Sequence, residues 1–293
     1  MISGRKKLDE ISVNLMKINL AKSAGFCFGV QRALDIAFKT ISSCPSVYML
    51  GDIVHNEEVI KKTEESGIRR IKKLSRGDNK TLLLRAHGTA ISVIDRAQRH
   101  GYNIVDATCP MVKEIHRIVR ESKKQGYYII VIGEATHDEV KGIVGQVNNR
   151  ALVIDSSGNI PIDRIKKIKK AAVVVQSTQN IEQVVKIIGA LKQHIPNVRF
   201  FNTVCKPTRT KQEEINSLSL QNEAMVIIGS RTSANTKRFF EISKSLNRKS
   251  YWISSKDELK PKWFRGVLTV GVTAGASTPE ATIKEITATI LHF

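Results

Sequence analysis

The sequence predicts an α/β protein made of three repeated units with parallel-type sheets. Three observations carry that prediction. Short β-branched runs alternate with amphipathic helical patterns along the chain, which is the signature of βαβ units. Three of the four cysteines, Cys27, Cys109 and Cys205, stand between a strand-like run and a helical pattern. Counting 28 residues onward from each reaches a polar residue in an equivalent place: His55, His137 and Ser233.

In chain order, residues 17–24 form the first strand-like run and 30–43 the first helical pattern. Strand-like runs at 47–53 and 81–86 follow, then a helical stretch at 90–100 and a strand at 102–106. The helical pattern at 111–126 opens after Pro110, a residue suited to a first helical turn. Next come strand-like 127–133 and 172–176, helical 181–194 and strand-like 198–203. The last third holds helical patterns at 211–222, 235–247 and 279–291, with strands at 224–229 and 267–273. No low-complexity or Gly/Pro-rich linker separates the thirds, so the joins are compact. The expected units span 28–109, 110–203 and 204–293, joined by an N-terminal strand at 16–27.

Of the 293 residues 41% are apolar, enough for a sizeable core, and wholesale disorder is excluded. No stretch reaches the roughly 18 uninterrupted apolar residues of a membrane helix. The N-terminal 14 residues are basic but lack an apolar segment and contain acidic residues. That argues against a secretory or transit signal and for a cytoplasmic protein. The net charge of +20 suggests an acidic partner: a redox carrier, a phosphorylated ligand or RNA. The basic residues lie in scattered short runs at 4–7, 69–73, 164–170 and 260–265, outside any nucleic-acid motif. Neither nucleic acid nor membrane is therefore the expected partner.

A reducing compartment disfavours disulfides, and no C-x-x-C pair exists to suggest a zinc ribbon or a ferredoxin-type run. One step further along each third, the next strand ends in another polar residue: His87, Ser177 and Ser277. Ligands of open α/β sheets bind at strand carboxyl ends, so these nine positions can converge on one cavity. Three converging thiolates suit an iron–sulfur cluster with one iron left open; a zinc site completed by His55, His87 or His137 is the rival. Cys44 lies at a helix end before Pro45, outside the shared slot, and reads as packing or surface. The neutral donors near helix N-termini describe a phosphate or diphosphate pocket without a Walker loop, with Arg85, Arg231 and Lys237 the cations nearby. Histidines holding such an anion would be protonated.

The ordered motifs GFCFGVQRAL, DIVHN, RAHG, DATCP, THDEV, QST, NTVCKPTRTKQEE, GSRTSANTKRF and VTAGAS resemble those of the LytB/IspH family of 4-hydroxy-3-methylbut-2-enyl diphosphate reductases. The resemblance runs from about residue 18 to 290. It implies a trefoil of three pseudo-threefold-related α/β domains around a central cleft. It also implies the last step of the non-mevalonate isoprenoid pathway, a two-electron reductive dehydroxylation giving isopentenyl and dimethylallyl diphosphates. By the same resemblance, Cys27, Cys109 and Cys205 hold a [4Fe-4S] cluster with an open apical iron, and ferredoxin or flavodoxin supplies electrons. His55, His87, His137, Ser177, Ser233, Asn235 and Ser277 become substrate contacts, and Glu139 the proton source. Asp138 stands where the family often has proline, Ser177 where threonine is usual, and Ala234 where a second serine is common. Activity is expected to survive these departures, with weaker substrate binding. Two competing readings are a zinc-stabilised RNA-binding protein and a family scaffold without catalysis. The second requires damage at the cysteines or Glu139, and the sequence shows none.

Overall fold

The computed structural model describes residues 16–293. The N-terminal segment read above as lacking a leader, with its basic run at 4–7, lies outside the described residues. The first third runs through β1 (Lys17–Leu20), α1 (Phe28–Ser43), β2 (Val47–Leu50), α2 (Glu57–Glu65), β3 (Ile68–Ile71), β4 (Thr81–Leu84), α3 (Ile91–Arg99) and β5 (Asn103–Asp106). The second comprises α4 (Pro110–Lys124), β6 (Tyr128–Ile132), α5 (Asp138–Val144), β7 (Ala151–Ile154), α6 (Ile162–Ile165), β8 (Lys170–Val175), α7 (Ile181–His194) and β9 (Asn197–Phe200). The third comprises α8 (Lys206–Gln221), β10 (Ala224–Ile228), α9 (Ala234–Leu246), β11 (Ser250–Ile253), β12 (Thr269–Ala274) and α10 (Glu280–Leu291).

These strands form three four-stranded sheets in which every pairing is parallel. Their orders are β3-β2-β4-β5, β7-β6-β8-β9 and β11-β10-β12-β1. Each sheet thus repeats one plan, in which the second strand flanks the first and the third lies on the first strand's other side. The N-terminal β1 supplies the fourth strand of the last sheet, with Lys17–Leu20 in register against Thr269–Val272. Helices cover the sheet faces, so the central strands are buried on both sides and read as continuous apolar runs. TLLL in β4 and AMVII in β10 are buried throughout. Each sheet carries its own apolar core, the largest built on Ile130, Val173, Val175, Ile187 and Leu191.

In a sheet of this order the chain leaves the first and third strands in opposite directions, and the crevice between them is where ligands bind. Here there are three such crevices, and the loops after β2 and β4, β6 and β8, and β10 and β12 line one cavity.

All nine expected strands are present, and three short ones, β3, β7 and β11, are added. The cysteines do not end strands. β1, β5 and β9 stop at Leu20, Asp106 and Phe200, and a short connection then leads each cysteine to the N-cap of α1, α4 or α8. The helix expected from 211 begins at Lys206, because Pro207 fits the first turn, where its missing N–H leaves nothing unpaired. Asp138 is the first residue of α5, which the sequence reading did not include among the helices.

Candidate functional site

Cys27 and Cys205 have extended backbone, Cys109 takes φ −55° and ψ 134°, and all three accept the first helical hydrogen bonds through their carbonyls, from Gln31, Lys113 and Arg209. Their own N–H groups donate to Ala276, Ala86 and Ser177 at 3.2, 3.0 and 3.0 Å. Every cysteine is thereby pinned to the loop that carries Ser277, His87 or Ser177. Three helix N-termini converge, and all three cysteines face a cavity of about 250 Å³. Gly29 shows how close two of the sulfurs come. A Cβ there would lie 2.6 Å from Cys109 Sγ and 3.9 Å from Cys27 Sγ, so only hydrogen fits. Cys205 Sγ sits 3.1 Å from Thr208 Oγ1. Cys44 ends α1 and packs on the core of the first sheet, away from the cavity.

The same cavity is lined by His55, His87, His137, Glu139, Ser177, Ser233, Asn235 and Ser277, so the structure brings together all eleven residues expected there. The three imidazoles form a cluster with ring centroids 4.5, 5.2 and 5.5 Å apart. His137 is the N-cap of α5; its Nδ1 accepts from the Glu139 N–H at 3.1 Å, which leaves Nε2 as the protonated nitrogen. His55 Nε2, His87 Nδ1 and both amide atoms of Asn235 are buried without partners. Such orphans are costly unless paired, so these groups suit a polar ligand. Ser233 caps α9, and Ser277 Oγ donates to the His55 carbonyl at 3.1 Å.

Burial sets the electrostatics. It holds His137 down to about 3, and His87, which also feels the other two imidazoles, well below the ordinary histidine value. His55 is lowered by burial too, with Asp138 opposing. The triad is therefore neutral while the cavity holds no anion. Glu139 is 2% exposed, and burial raises its pKa although Ser177 binds both its oxygens, N–H to Oε1 at 2.6 Å and Oγ to Oε2 at 2.8 Å. Burial also raises the Cys109 and Cys205 thiols, so in the bare cavity they are protonated, and a bound metal would displace those protons.

The match to known families follows this geometry. Residues 18–291 match the family model described as LytB protein. The chain belongs to the LytB family. A curated relative in Geotalea uraniireducens (strain Rf4), named 4-hydroxy-3-methylbut-2-enyl diphosphate reductase, is 40% identical over 92% of this chain and 95% of its own length. A relative of the same name in Geobacter sulfurreducens is 37% identical over 95% and 98%. One solved structure, titled as the (E)-4-hydroxy-3-methyl-but-2-enyl diphosphate reductase that is the terminal enzyme of the non-mevalonate pathway, superimposes with a TM-score of 0.70 at 34% identity. It covers 94% of this chain and 99% of its own. The Plasmodium falciparum reductase superimposes with a TM-score of 0.85 at 26% identity over 93% and 87%.

Within this LytB fold, Lys211 and Arg238 were not singled out from the sequence, although both lie inside the quoted motifs NTVCKPTRTKQEE and GSRTSANTKRF. Lys211 lines the cavity at 2% exposure, yet it reads in sequence as one more lysine of an amphipathic helix. Arg238 lies behind Glu139, donating to Thr178 Oγ1 at 3.1 Å and Gln176 Oε1 at 3.3 Å. Arg85 forms an ion pair with Asp138 at 2.6 Å and does not line the cavity. Arg231 and Lys237 line an adjoining recess that shares His55, His137 and Ser233 with the main cavity. The family resemblance gave no warning of the Arg85–Asp138 pair, because proline is common at that position.

Proposed function

We propose that this chain reduces (E)-4-hydroxy-3-methylbut-2-enyl diphosphate to isopentenyl and dimethylallyl diphosphates, with a [4Fe-4S] cluster held by Cys27, Cys109 and Cys205. The observation that carries the reading is the convergence of those three cysteines, each an N-cap, on a cavity lined by orphaned polar groups. The donor set fits the cluster. Three thiols share one wall, Gly29 leaves the space a Cβ would fill, and the fourth cysteine is elsewhere. Thiolates are the usual ligands of such clusters, and one iron stays open. When bound, the cluster supplies electrons and a Lewis-acidic iron for the leaving oxygen. The overall change is balanced: the substrate loses its hydroxyl as water and takes up two electrons and two protons.

The chain's own groups bind and protonate. The diphosphate is assigned to His55, His87, His137, Ser233, Asn235 and Ser277, gathered at helix N-termini where the dipole and free N–H groups favour anions. Ala234, at the first turn of α9, offers only its backbone N–H. Ser177 fixes the Glu139 carboxyl, which delivers a proton to the departing hydroxyl. The units 28–109, 110–203 and 204–293 are proposed as the domain bounds. A ferredoxin- or flavodoxin-type protein is proposed as electron donor and the cytoplasm as location; no helix among the described residues is long and apolar enough to cross a membrane.

One observation favours a second reading. His55, His87 and His137 offer ligand atoms within 4.8 Å of one another, a spacing that also suits a metal ion. Replacing each cysteine by serine and measuring iron, sulfide and zinc per chain decides between them. Iron and sulfide should vanish with Cys27, Cys109 or Cys205 and persist in Cys44→Ser. Zinc without sulfide, unaffected by the three cysteine changes, sinks the cluster reading.

A further inference from the structure

Lys211 has the largest of the fully buried side chains among the described residues. A buried ammonium is costly unless its donors are satisfied. Here Nζ donates to the carbonyls of Ser23, Gly25 (3.2 Å) and Ala274 (3.4 Å). Ser23 and Gly25 belong to the segment that leads from β1 to Cys27, and Ala274 ends β12. Lys211 itself lies on α8, the helix capped by Cys205. One ammonium therefore fastens the Cys27 segment to the Cys205 helix. Gly25 takes a φ of +94°, a conformation side chains resist, and this turn sets its carbonyl toward Lys211. Glu214, one turn further along α8, accepts from the Ser23 N–H at 3.0 Å and from its hydroxyl.

Holding carbonyls does not need a charge, yet a charge is present. Glu214 is partly exposed and solvated, whereas Lys211 is buried in the cavity wall and within the field of Cys27. Burial pulls the ammonium down to about 8, a penalty that an anion in the cavity beside Cys27 removes. Cluster potentials respond to nearby charge, hydrogen bonds and solvent exposure. A buried charge acts strongly, because little water screens it.

We infer that Lys211 is a positioning residue whose buried positive charge offsets the negative charge of the cluster at Cys27 and raises its reduction potential. The inference rests on the cluster reading above. Reduction brings one electron from the donor protein to the cluster, with no bond made or broken at Lys211. The ammonium stays protonated throughout.

The test is a redox titration, followed by EPR, of the cluster-loaded chain, Lys211→Met and Lys211→Arg, with iron and sulfide counted first. Met keeps length and apolar volume but deletes the charge. It should retain the cluster and lower the reduced-to-oxidised ratio about tenfold at a fixed ambient potential, a shift of 59 mV for one electron. Arg should titrate close to the native chain. Lys211→Gln, which keeps donors for the carbonyls without the charge, replaces Met should that variant fail to load. A neutral variant with a full cluster and an unmoved potential overturns the inference. A native chain without iron and sulfide overturns the cluster reading instead.

Discussion

Glu139, the proposed proton source, shows how this fold raises the pKa of a carboxyl. Both oxygens are held by Ser177 in a site 2% exposed, and the raised pKa comes from burial outweighing those bonds. Glu139→Gln keeps shape while removing the proton. Its turnover should fall at least about 100-fold with iron, sulfide and substrate binding intact, the usual weight of a general acid. Near-normal turnover with a full cluster moves the proton source elsewhere. The histidines give an independent check. His137 is held down to about 3 and His87 well down by burial, so near pH 6 they are neutral before an anion arrives. Inorganic pyrophosphate should raise His87, whose Nδ1 has no partner, and draw protons from solution, read as a dependence of the calorimetric heat on buffer ionisation enthalpy. Heats independent of buffer would remove His87 from the anion site. The same depressed values mean that stability contributed by the neutral rings is present above about 6.5 and lost as pH falls toward about 3. Sequence reading found Glu139 by resemblance. The Ser177 bond was illegible because nothing local links a helix start with a loop 38 residues away.

At the scale of elements, the strands that escaped the sequence share one topological place. β3, β7 and β11 are the outer second strands of their sheets, each four residues long. β3 reads Ile-Arg-Arg-Ile with both arginines exposed, so its pattern was lost within a basic run. The helices α2, α5 and α6 escaped likewise: α5 and α6, of seven and four residues, give too few turns for a clear period, and EEVIKKTEE in α2 carries only two adjacent apolar residues. The helix behind each cysteine was legible, and its start carries a sharp constraint. Gly29, in the first turn of α1, sits against two of the sulfurs. Gly29→Ala would push α1 or Cys109 aside and should cut iron per chain to below half. Far-UV circular dichroism should stay native, because alanine favours the helix. Full cluster loading in that variant would show that the sulfurs can move apart at no cost.

Across the whole molecule, the threefold plan was legible because spacing survives where side chains diverge: 28 residues separate each cysteine from its polar counterpart. The partner of the N-terminal strand was not legible, since parallel pairing leaves no local trace. The charge of +20 also acts at this scale. The cavity itself uses mostly neutral donors, so the surplus cations serve the surroundings, and an acidic electron carrier should be steered toward this chain. Reduction by a ferredoxin- or flavodoxin-type donor should slow several-fold as salt rises from about 10 mM to 150 mM, as the Debye length shrinks from roughly 30 to 8 Å. A rate indifferent to salt would strip the charge of this role.

The pairing of β1 with β12 joins segments about 250 residues apart in the chain. During synthesis the first two sheets can close on their own strands as they emerge, but β1 has no partner until β12 leaves the ribosome. Cys27, carried between β1 and α1, is therefore the first of the three cysteines made and the last to be set in place. The fold acts as its own timer: the proposed three-thiol site can close only after β12 has been made.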